Sequence, residues 1–340
     1  MRIDGFGRSV ESASRRKFIA ATCGGGMVAL GGCLSSDGDT GDDSRNDDEG
    51  ESDGTELNGE VVVTGSSTVF PISEAMRNRF TEVHPNVTVR VQSTGSGGGF
   101  EDHFCPGDAD INAASRPIKP SERDHCTGND VSPIEMRIAG DALTVAVSTE
   151  NDWADCLSFD QLAQIWGSGG AETWADIDPS WPDEQFELYG PDTTSGTYDW
   201  FTTNVVGDAG PHRSDYVGTE DDTIIVQGLE DSQYAMGYFG YGYYAENADR
   251  VTALRVKRTE SDDCGEPSLQ AARNGSYPMA RPLFIYPAEE ALQREPVAEF
   301  VRFYLENSTA SWIAEDVNYV PSSDEQADEN LQALDSAVNS

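Results

Sequence analysis

Lysine is almost missing from this chain. Three of its 340 residues are Lys, at positions 17, 119 and 257, and Lys plus Arg number 22 against 61 Asp plus Glu. The formal charge of −39 excludes a nucleic-acid or anionic-lipid surface, because no basic patch could dominate such a field. It would also repel an anionic ligand unless salt screens it, and at molar salt the screening length falls to about 3 Å. Such a balance indicates adaptation to high salt, as in a halophilic archaeon. Histidine is scarce too. The four His (84, 103, 125 and 212) stand in polar or loop contexts without a clear base partner. No H-E-x-x-H or paired His–carboxylate cluster suggests a metal. Ser195 sits in Thr194-Ser195-Gly196, not in G-x-S-x-G. These absences argue against an enzyme, a metal site or a cofactor.

What the chain does contain is one pattern, three times. The short strand Phe186–Tyr189 is followed by Gly190-Pro191-Asp192-Thr193-Thr194-Ser195-Gly196-Thr197, which opens a helix through Tyr198, Phe201, Val205 and Val206. Thr64-Gly65-Ser66-Ser67-Thr68-Val69-Phe70-Pro71 follows the strand Val61–Val63. Ser93-Thr94-Gly95-Ser96-Gly97-Gly98-Gly99-Phe100 follows the strand Val87–Val91. A helix start has backbone N–H groups without internal partners and a dipole that favours negative charge. Gly admits an oxyanion to the backbone, and Ser and Thr add hydroxyl donors. For a single stretch, a capping Ser explains the residues equally well. Three donor-rich, uncharged helix starts point instead to one small tetrahedral anion. No Lys follows these glycines, so none is a Walker loop. The dinucleotide fingerprint also fails.

In chain order, residues 1–33 form a targeting segment. Ser14-Arg15-Arg16-Lys17-Phe18-Ile19 is a twin-arginine signature. The apolar run Ile19–Leu30 is too short and Gly-rich to span a membrane. Leu30-Gly31-Gly32-Cys33 resembles a lipobox, which makes Cys33 the lipidated first mature residue. Residues 34–58 are an acidic, Gly- and Ser-rich tether expected to be disordered. The βαβ opening from Gly59 implies a mostly parallel sheet with ligands at the strands' carboxyl ends. Ile72, Ala75, Met76, Phe80 and Val83 keep helical spacing up to His84-Pro85. Ala142–Val147 is expected as a crossover strand to a second lobe. There Ser158 caps a helix carrying Phe159, Leu162, Ile165 and Trp166. Leu283–Tyr286 is expected as the returning strand. The aromatic-glycine run Gly237–Tyr244 suits a core or cleft wall better than a base-stacking platform.

Cys23 leaves with the signal and Cys33 takes the lipid. Cys105, Cys126, Cys156 and Cys264 remain, an even number in an exported protein, which suggests two disulfides. Three connectivities exist. Proximity in sequence and lobe favours Cys105–Cys126 with Cys156–Cys264. Zinc is the rival, but no C-x-x-C is present.

From about Gly59 to the last helix the chain resembles the phosphate-binding lipoproteins of phosphate ABC transporters, haloarchaeal type. The resemblance rests on Gly65–Pro71, Gly95–Gly99, Ala114-Ser115-Arg116-Pro117, and Tyr189-Gly190-Pro191 through Ser195-Gly196-Thr197, in this order and spacing. It implies an α/β, two-lobed type II periplasmic-binding-protein fold with the ligand in the interlobe cleft. Lobe I would comprise 59–146 plus 280–340, and lobe II 147–279. It implies phosphate ligation by Ser67, Thr68, Ser96, Ser195, Gly196 and Thr197. Two positions depart from the best-known members. Arg116 stands where they carry Asp, and Pro191 stands near where they carry Arg. The charges thus look exchanged, so Arg116 is the expected bidentate cation. Asp141 is the expected acceptor of the phosphate's own proton, with Asp192 next in line. The implied partners are inorganic phosphate, the membrane subunits of an ABC permease, and membrane lipid through Cys33, for a monomeric extracytoplasmic protein. The alternative ligand is another oxyanion: sulfate, molybdate or tungstate.

Overall fold

The computed structural model describes residues 56–207 and 210–340. The twin-arginine segment, Cys33 and all but the last three residues of the tether lie outside the described residues. The strands, in chain order, are β1 (Gly59–Gly65), β2 (Val87–Val91), β3 (Ile111–Ala114), β4 (Met136–Ala142), β5 (Thr144–Ser148), β6 (Cys156–Ser158), β7 (Glu187–Pro191), β8 (Val217–Thr219), β9 (Ala235–Phe239), β10 (Val251–Ala253), β11 (Arg255–Lys257), β12 (Ala280–Pro287) and β13 (Val320–Pro321).

Two sheets define two lobes. The first has the order β13-β4-β12-β3-β1-β2, the second β10-β5-β9-β7-β8, and β6 and β11 pair separately. In the first sheet β1 lies parallel to both β2 and β3, while β12 runs antiparallel to β3 and β4. In the second, β7 is parallel to β8 and β9, and β5 is antiparallel to β9. Both sheets are therefore mixed rather than mostly parallel. β4, β5 and β12, which carry the chain between lobes or return it, all take part in antiparallel pairs, as do β10 on β5 and β13 on β4.

The stretch Ala142–Val147 is not one strand. It breaks at Leu143, whose N–H donates to Met279 O at 3.1 Å. β4 stays with the first sheet and β5 joins the second, so the outward crossing falls at Leu143. The return crossing, at Met279 and Ala280, lies beside it.

Local sequence explains the elements around these sheets. In β1, Val61 and Val63 enter one core while Val62 packs against the core on the opposite face, as alternation requires. The helix Phe70–Val83 carries Pro71 in its first turn and buries Ile72, Met76 and Phe80. Val83 leaves the expected stripe and is 65% exposed, because the helix ends there. The Ser158 hydroxyl accepts from Gln161 N at 3.2 Å. This caps the helix Phe159–Trp166, which buries Phe159, Leu162, Ile165 and Trp166. The helix Glu295–Asn307 buries Val297, Phe300, Val301 and Tyr304 against the first sheet. Disulfides join Cys105 to Cys126 and Cys156 to Cys264, the first within lobe I and the second within lobe II. Among the described residues no helix is long and apolar enough to cross a membrane.

Candidate functional site

Parallel strands deliver their loops to one place. β1 ends in Ser66–Thr68, β2 leads to Ser96, β3 ends in Ser115-Arg116, β7 leads to Ser195–Thr197, and β8 ends before Glu220. Ser67, Thr68, Ser96, Ser115, Ser195 and Thr197 are all buried. Gly65 has φ +119°, and a side chain there would meet Asn112 Oδ1 and the Ala113 backbone. The chain can therefore turn out of β1 only with glycine. The helix that follows has no side-chain cap, so no hydroxyl of the first loop is spent on capping it.

The loops of the two lobes touch. Gly97 N donates to Thr194 O at 2.9 Å. A Cβ on Gly196 would collide with Ser96 Oγ and lie 2.6 Å from Ser115 Oγ. Ser96 Oγ accepts from Ser115 N at 3.1 Å. Thr68 Oγ1 and Thr197 Oγ1 stand 3.0 Å apart. The Ser195 hydroxyl accepts from Thr197 N at 3.1 Å and so caps the helix Gly196–Phe201. Capping and membership of the cluster are both true of Ser195.

The charge at the centre comes from a residue that the sequence reading missed. Arg281, near the start of β12, is fully buried and pairs with Asp141 on β4, also fully buried, at 2.8 Å. Its Nη2 also donates to Thr68 Oγ1 at 3.2 Å and to Thr197 Oγ1 at 3.0 Å. The two hydroxyl oxygens therefore accept from the guanidinium. One of their protons can bridge the pair, and the other is left to donate elsewhere.

Asp141 lies beside Arg281 at the hydroxyl cluster, but it is not a free acceptor. Its Oδ2 takes Arg281 Nε at 3.0 Å and Nη2 at 2.8 Å, and its Oδ1 takes Tyr241 N at 3.0 Å. Asp192 is occupied as well, accepting from Thr194 N at 3.1 Å and Thr194 Oγ1 at 3.2 Å in its own turn.

Arg116 does form a bidentate pair, but with a carboxylate of its own chain. Nη1 and Nη2 donate to Glu122 at 2.8 and 2.5 Å, and Nε donates to Asp199 at 2.7 Å. Asp199 also holds Lys119 Nζ at 2.7 Å. Glu122 belongs to lobe I and Asp199 to lobe II, so Arg116 ties the lobes together beside the hydroxyl cluster.

Two acids border the cluster from the loop after β8. Glu220 accepts from Thr194 Oγ1 at 2.9 Å, and burial pushes its carboxyl up to about 7. Asp222 opens the helix Asp222–Asp231 and is 3% exposed. Burial, with Glu220 close by, pushes it up to about 8, while Arg281 pulls the other way. Four buried polar atoms in this neighbourhood have no partner: Arg281 Nη1, Asp222 Oδ2, Glu220 Oε2 and Tyr319 Oη.

His212 is a core residue of lobe II rather than a loop histidine. Its Nδ1 donates to Arg213 O at 2.7 Å, which leaves Nε2 to accept from Tyr238 Oη at 3.0 Å. Burial lowers its pKa. The aromatic-glycine run divides into β9 and the helix Tyr241–Glu246. Tyr238 and Phe239 enter separate cores, and Gly242 leaves room for the Tyr319 ring. Among the described residues no group of three His, Cys, Asp or Glu could hold a metal ion.

The sequence aligns with known proteins over most of its length. A PBP superfamily domain matches residues 46–308. A phosphate-binding protein PstS of Staphylococcus haemolyticus is 37% identical over 322 residues, covering 94% of this chain and 96% of that protein. Protein SphX of Synechocystis is 40% identical over 266 residues, covering 77% and 78%. A solved structure described as a possible phosphate binding protein from Planctomyces limnophilus superposes with a TM-score of 0.61 at 38% identity, over 83% of this chain and 99% of that one. Two lobes, donor-lined strand ends facing one another and this extent of likeness agree, and the chain belongs to the PstS family of phosphate-binding proteins of phosphate ABC transporters, within the PBP superfamily.

Proposed function

We propose that this chain captures inorganic phosphate outside the cytoplasm and delivers it to the membrane permease of an ABC transporter. One observation carries the reading: hydroxyl-lined strand ends from both lobes converge on a buried Arg281. Neutral donors around one compensated cation suit a small tetrahedral oxyanion. The names of the relatives point to the same ligand.

Ser67, Thr68, Ser96, Ser195, Gly196 and Thr197 supply the oxygen ligands. Arg281 supplies the positive charge first expected of Arg116, and Asp141 holds that guanidinium in place. Arg116 fastens the lobes through Glu122 and Asp199. Capture proceeds by closure of the lobes around the anion, with donors replacing its hydration shell. The function is binding and transfer, not catalysis.

The twin-arginine segment and lipidated Cys33 would place a monomer on the outer face of the membrane, on an acidic leash, in a high-salt medium. Mass spectrometry of the mature protein checks the lipid: an unmodified or absent Cys33 removes that part of the proposal.

Calorimetric titration of the soluble domain in molar KCl tests the ligand. Tight phosphate binding, lost in Arg281→Ala, is the expected result. Heat with sulfate, molybdate or tungstate but none with phosphate would make the chain a receptor for a different oxyanion. No response to any of them would leave the hydroxyl loops as ordinary helix starts.

A further inference from the structure

We propose that a cavity beside the two lobe crossings is a second anion site, separate from the cleft. It takes a small molecule with two oxyanion groups, a condensed phosphate or a dicarboxylate, and its occupant favours closure. The coupling to closure rests on the phosphate-capture reading above; the site itself does not.

The cavity has a volume of about 280 Å³. That is close to the roughly 300 Å³ at which small-molecule sites begin, and many times the ~30 Å³ share of one water. None of Ser67, Thr68, Ser96, Ser195 or Thr197 lines it. One wall is built from β4, β12 and β13, with the Arg281–Asp141 pair set in it. The other is the helix Leu269–Arg273 of lobe II, which packs across the boundary onto the same three strands. Tyr277 Oη donates to Leu143 O at 2.8 Å and ties the chain after this helix to the outward crossing. Lobe I thus supplies Arg137, from β4, and lobe II supplies Arg273 to one cavity.

Both arginines are exposed. Among the described residues neither guanidinium meets an acceptor. The other arginines there, Arg123 and Arg258 aside, each pair with a carboxylate. In a chain with 61 acidic and 22 basic residues, an arginine without a carboxylate is the exception. Two at one cavity, from opposite lobes, leave it positive within an acidic molecule. Among the described residues the only carboxylate that lines it is Asp141, whose oxygens are taken by Arg281 and Tyr241 N. Asp324 and Glu325, at the adjoining helix start, do not line it, while Ser322, Ser323 and Gln326 add neutral donors. Molar salt screens the acidic surface beyond about 3 Å, so contact decides binding. Each guanidinium fork matches one oxyanion group, and the two forks together suit a ligand that carries two.

Position supplies the coupling. An occupant held by both arginines fixes the helix Leu269–Arg273 against β4. It thereby holds the lobes in their present contact, where Gly97 N meets Thr194 O. Such an occupant raises phosphate affinity, and phosphate raises its affinity by the same factor.

The test is calorimetric titration of the phosphate-saturated protein with inorganic pyrophosphate and, separately, with succinate, at constant KCl. The wild type is compared with Arg137→Gln and Arg273→Gln, with circular dichroism as the check of folding. Saturable binding of either probe, weakened roughly tenfold or more in both folded variants, supports the site, and the probe that binds names the source of the paired anionic groups. Orthophosphate affinity that the probe raises about fivefold or more in the wild type, but not in the variants, supports the coupling. Failure of both probes to bind overturns the proposal, as does binding that either substitution leaves undiminished. A probe that binds without changing phosphate affinity overturns the coupling. One that lowers it enters the cleft or opens it, and overturns the proposal. If orthophosphate itself does not bind, the capture reading fails, and the same titrations of the unloaded protein still decide the site.

Discussion

Arg281 and Asp141 face each other in register across β12 and β4, and together they form an ion pair with no exposed side-chain surface. The pair lies within two residues of the chain's outward crossing at Leu143 and its return at Met279. Arg281 also donates to a threonine of each lobe, Thr68 and Thr197, and Asp141 accepts from Tyr241 N.

Breaking this pair should be costly in two distinct ways. Asp141→Asn leaves a buried guanidinium without its counter-ion, a loss of about 3–5 kcal/mol. At roughly 2–4 °C per kcal/mol for a body of this size, calorimetry should show a drop in Tm on the order of 10 °C. Arg281→Lys keeps the charge but not the fork. It should weaken phosphate by roughly ten- to hundredfold, the worth of one charged hydrogen bond of about 1.5–3 kcal/mol. A lysine variant that binds as the wild type does would remove Arg281 from the ligand set.

Gly196→Ala probes closure. The added methyl would press on Ser96 Oγ and Ser115 Oγ from the other lobe. Overpacking of about 1–3 kcal/mol falls on the closed form alone. The variant should keep its Tm without phosphate but bind phosphate roughly five- to hundredfold more weakly. Small-angle scattering with saturating phosphate should show a more open particle. Unchanged affinity would mean that the lobes do not meet at Gly196.

The buried acids predict an inverted pH response. Asp222 rises from an ordinary 3.8 to about 8, and Glu220 from 4.5 to about 7. The folded state therefore holds protons that the unfolded chain has released. Their contribution to stability is complete below about pH 4 and is lost as pH rises through 7 and 8. His212 has the opposite sign, since burial lowers its pKa from 6.5, and it costs stability only as pH falls below that value. The Tm of the ligand-free protein at fixed molar salt should decline between pH 7 and 8.5, and Asp222→Asn should flatten the decline. A Tm that climbs over this interval would contradict the burial of both acids.

The two disulfides should contribute unequally. Cys156–Cys264 joins residues 108 apart and Cys105–Cys126 residues 21 apart. Loop-closure entropy assigns about 4–5 kcal/mol to the first and about 3 kcal/mol to the second. Replacing each pair by Ala and comparing Tm should give the larger loss for Cys156–Cys264. Equal losses would indicate an unfolded chain already compact in lobe II.

What could be read in advance was local. Strand, small hydroxyl loop and helix start are neighbours in sequence, so the three donor loops and the helix capped by Ser158 were legible from spacing and chemistry. Pairing across long separations was not. Asp141 and Arg281 are 140 residues apart, and only the register of β4 on β12 brings them together. Asp141 could be singled out from its place beside the crossover, but its partner could not. Arg116 carried a motif signal, yet Glu122 and Asp199 claim its guanidinium through a turn and a lobe contact that spacing does not encode. Asp222 was hidden in an acidic run, Glu220-Asp221-Asp222, of a chain rich in such runs. Burial alone separates it from its neighbours. The break at Leu143 leaves no composition signal within an otherwise smooth apolar stretch.

Both members of the Arg281–Asp141 pair belong to strands of one sheet, so any swing of the second lobe leaves them facing each other. The positive charge then stands still like a fixed post, while Thr197, Ser195 and Asp222 arrive and depart with the moving half. Loading and unloading would thus proceed without separating this innermost pair of opposite charges. The work of opening would fall on hydroxyl contacts, on the Asp199 end of the Arg116 link and on proton exchange at the rim. A receptor built this way can release its cargo to a permease and return for another with its electrostatic centre never dismantled.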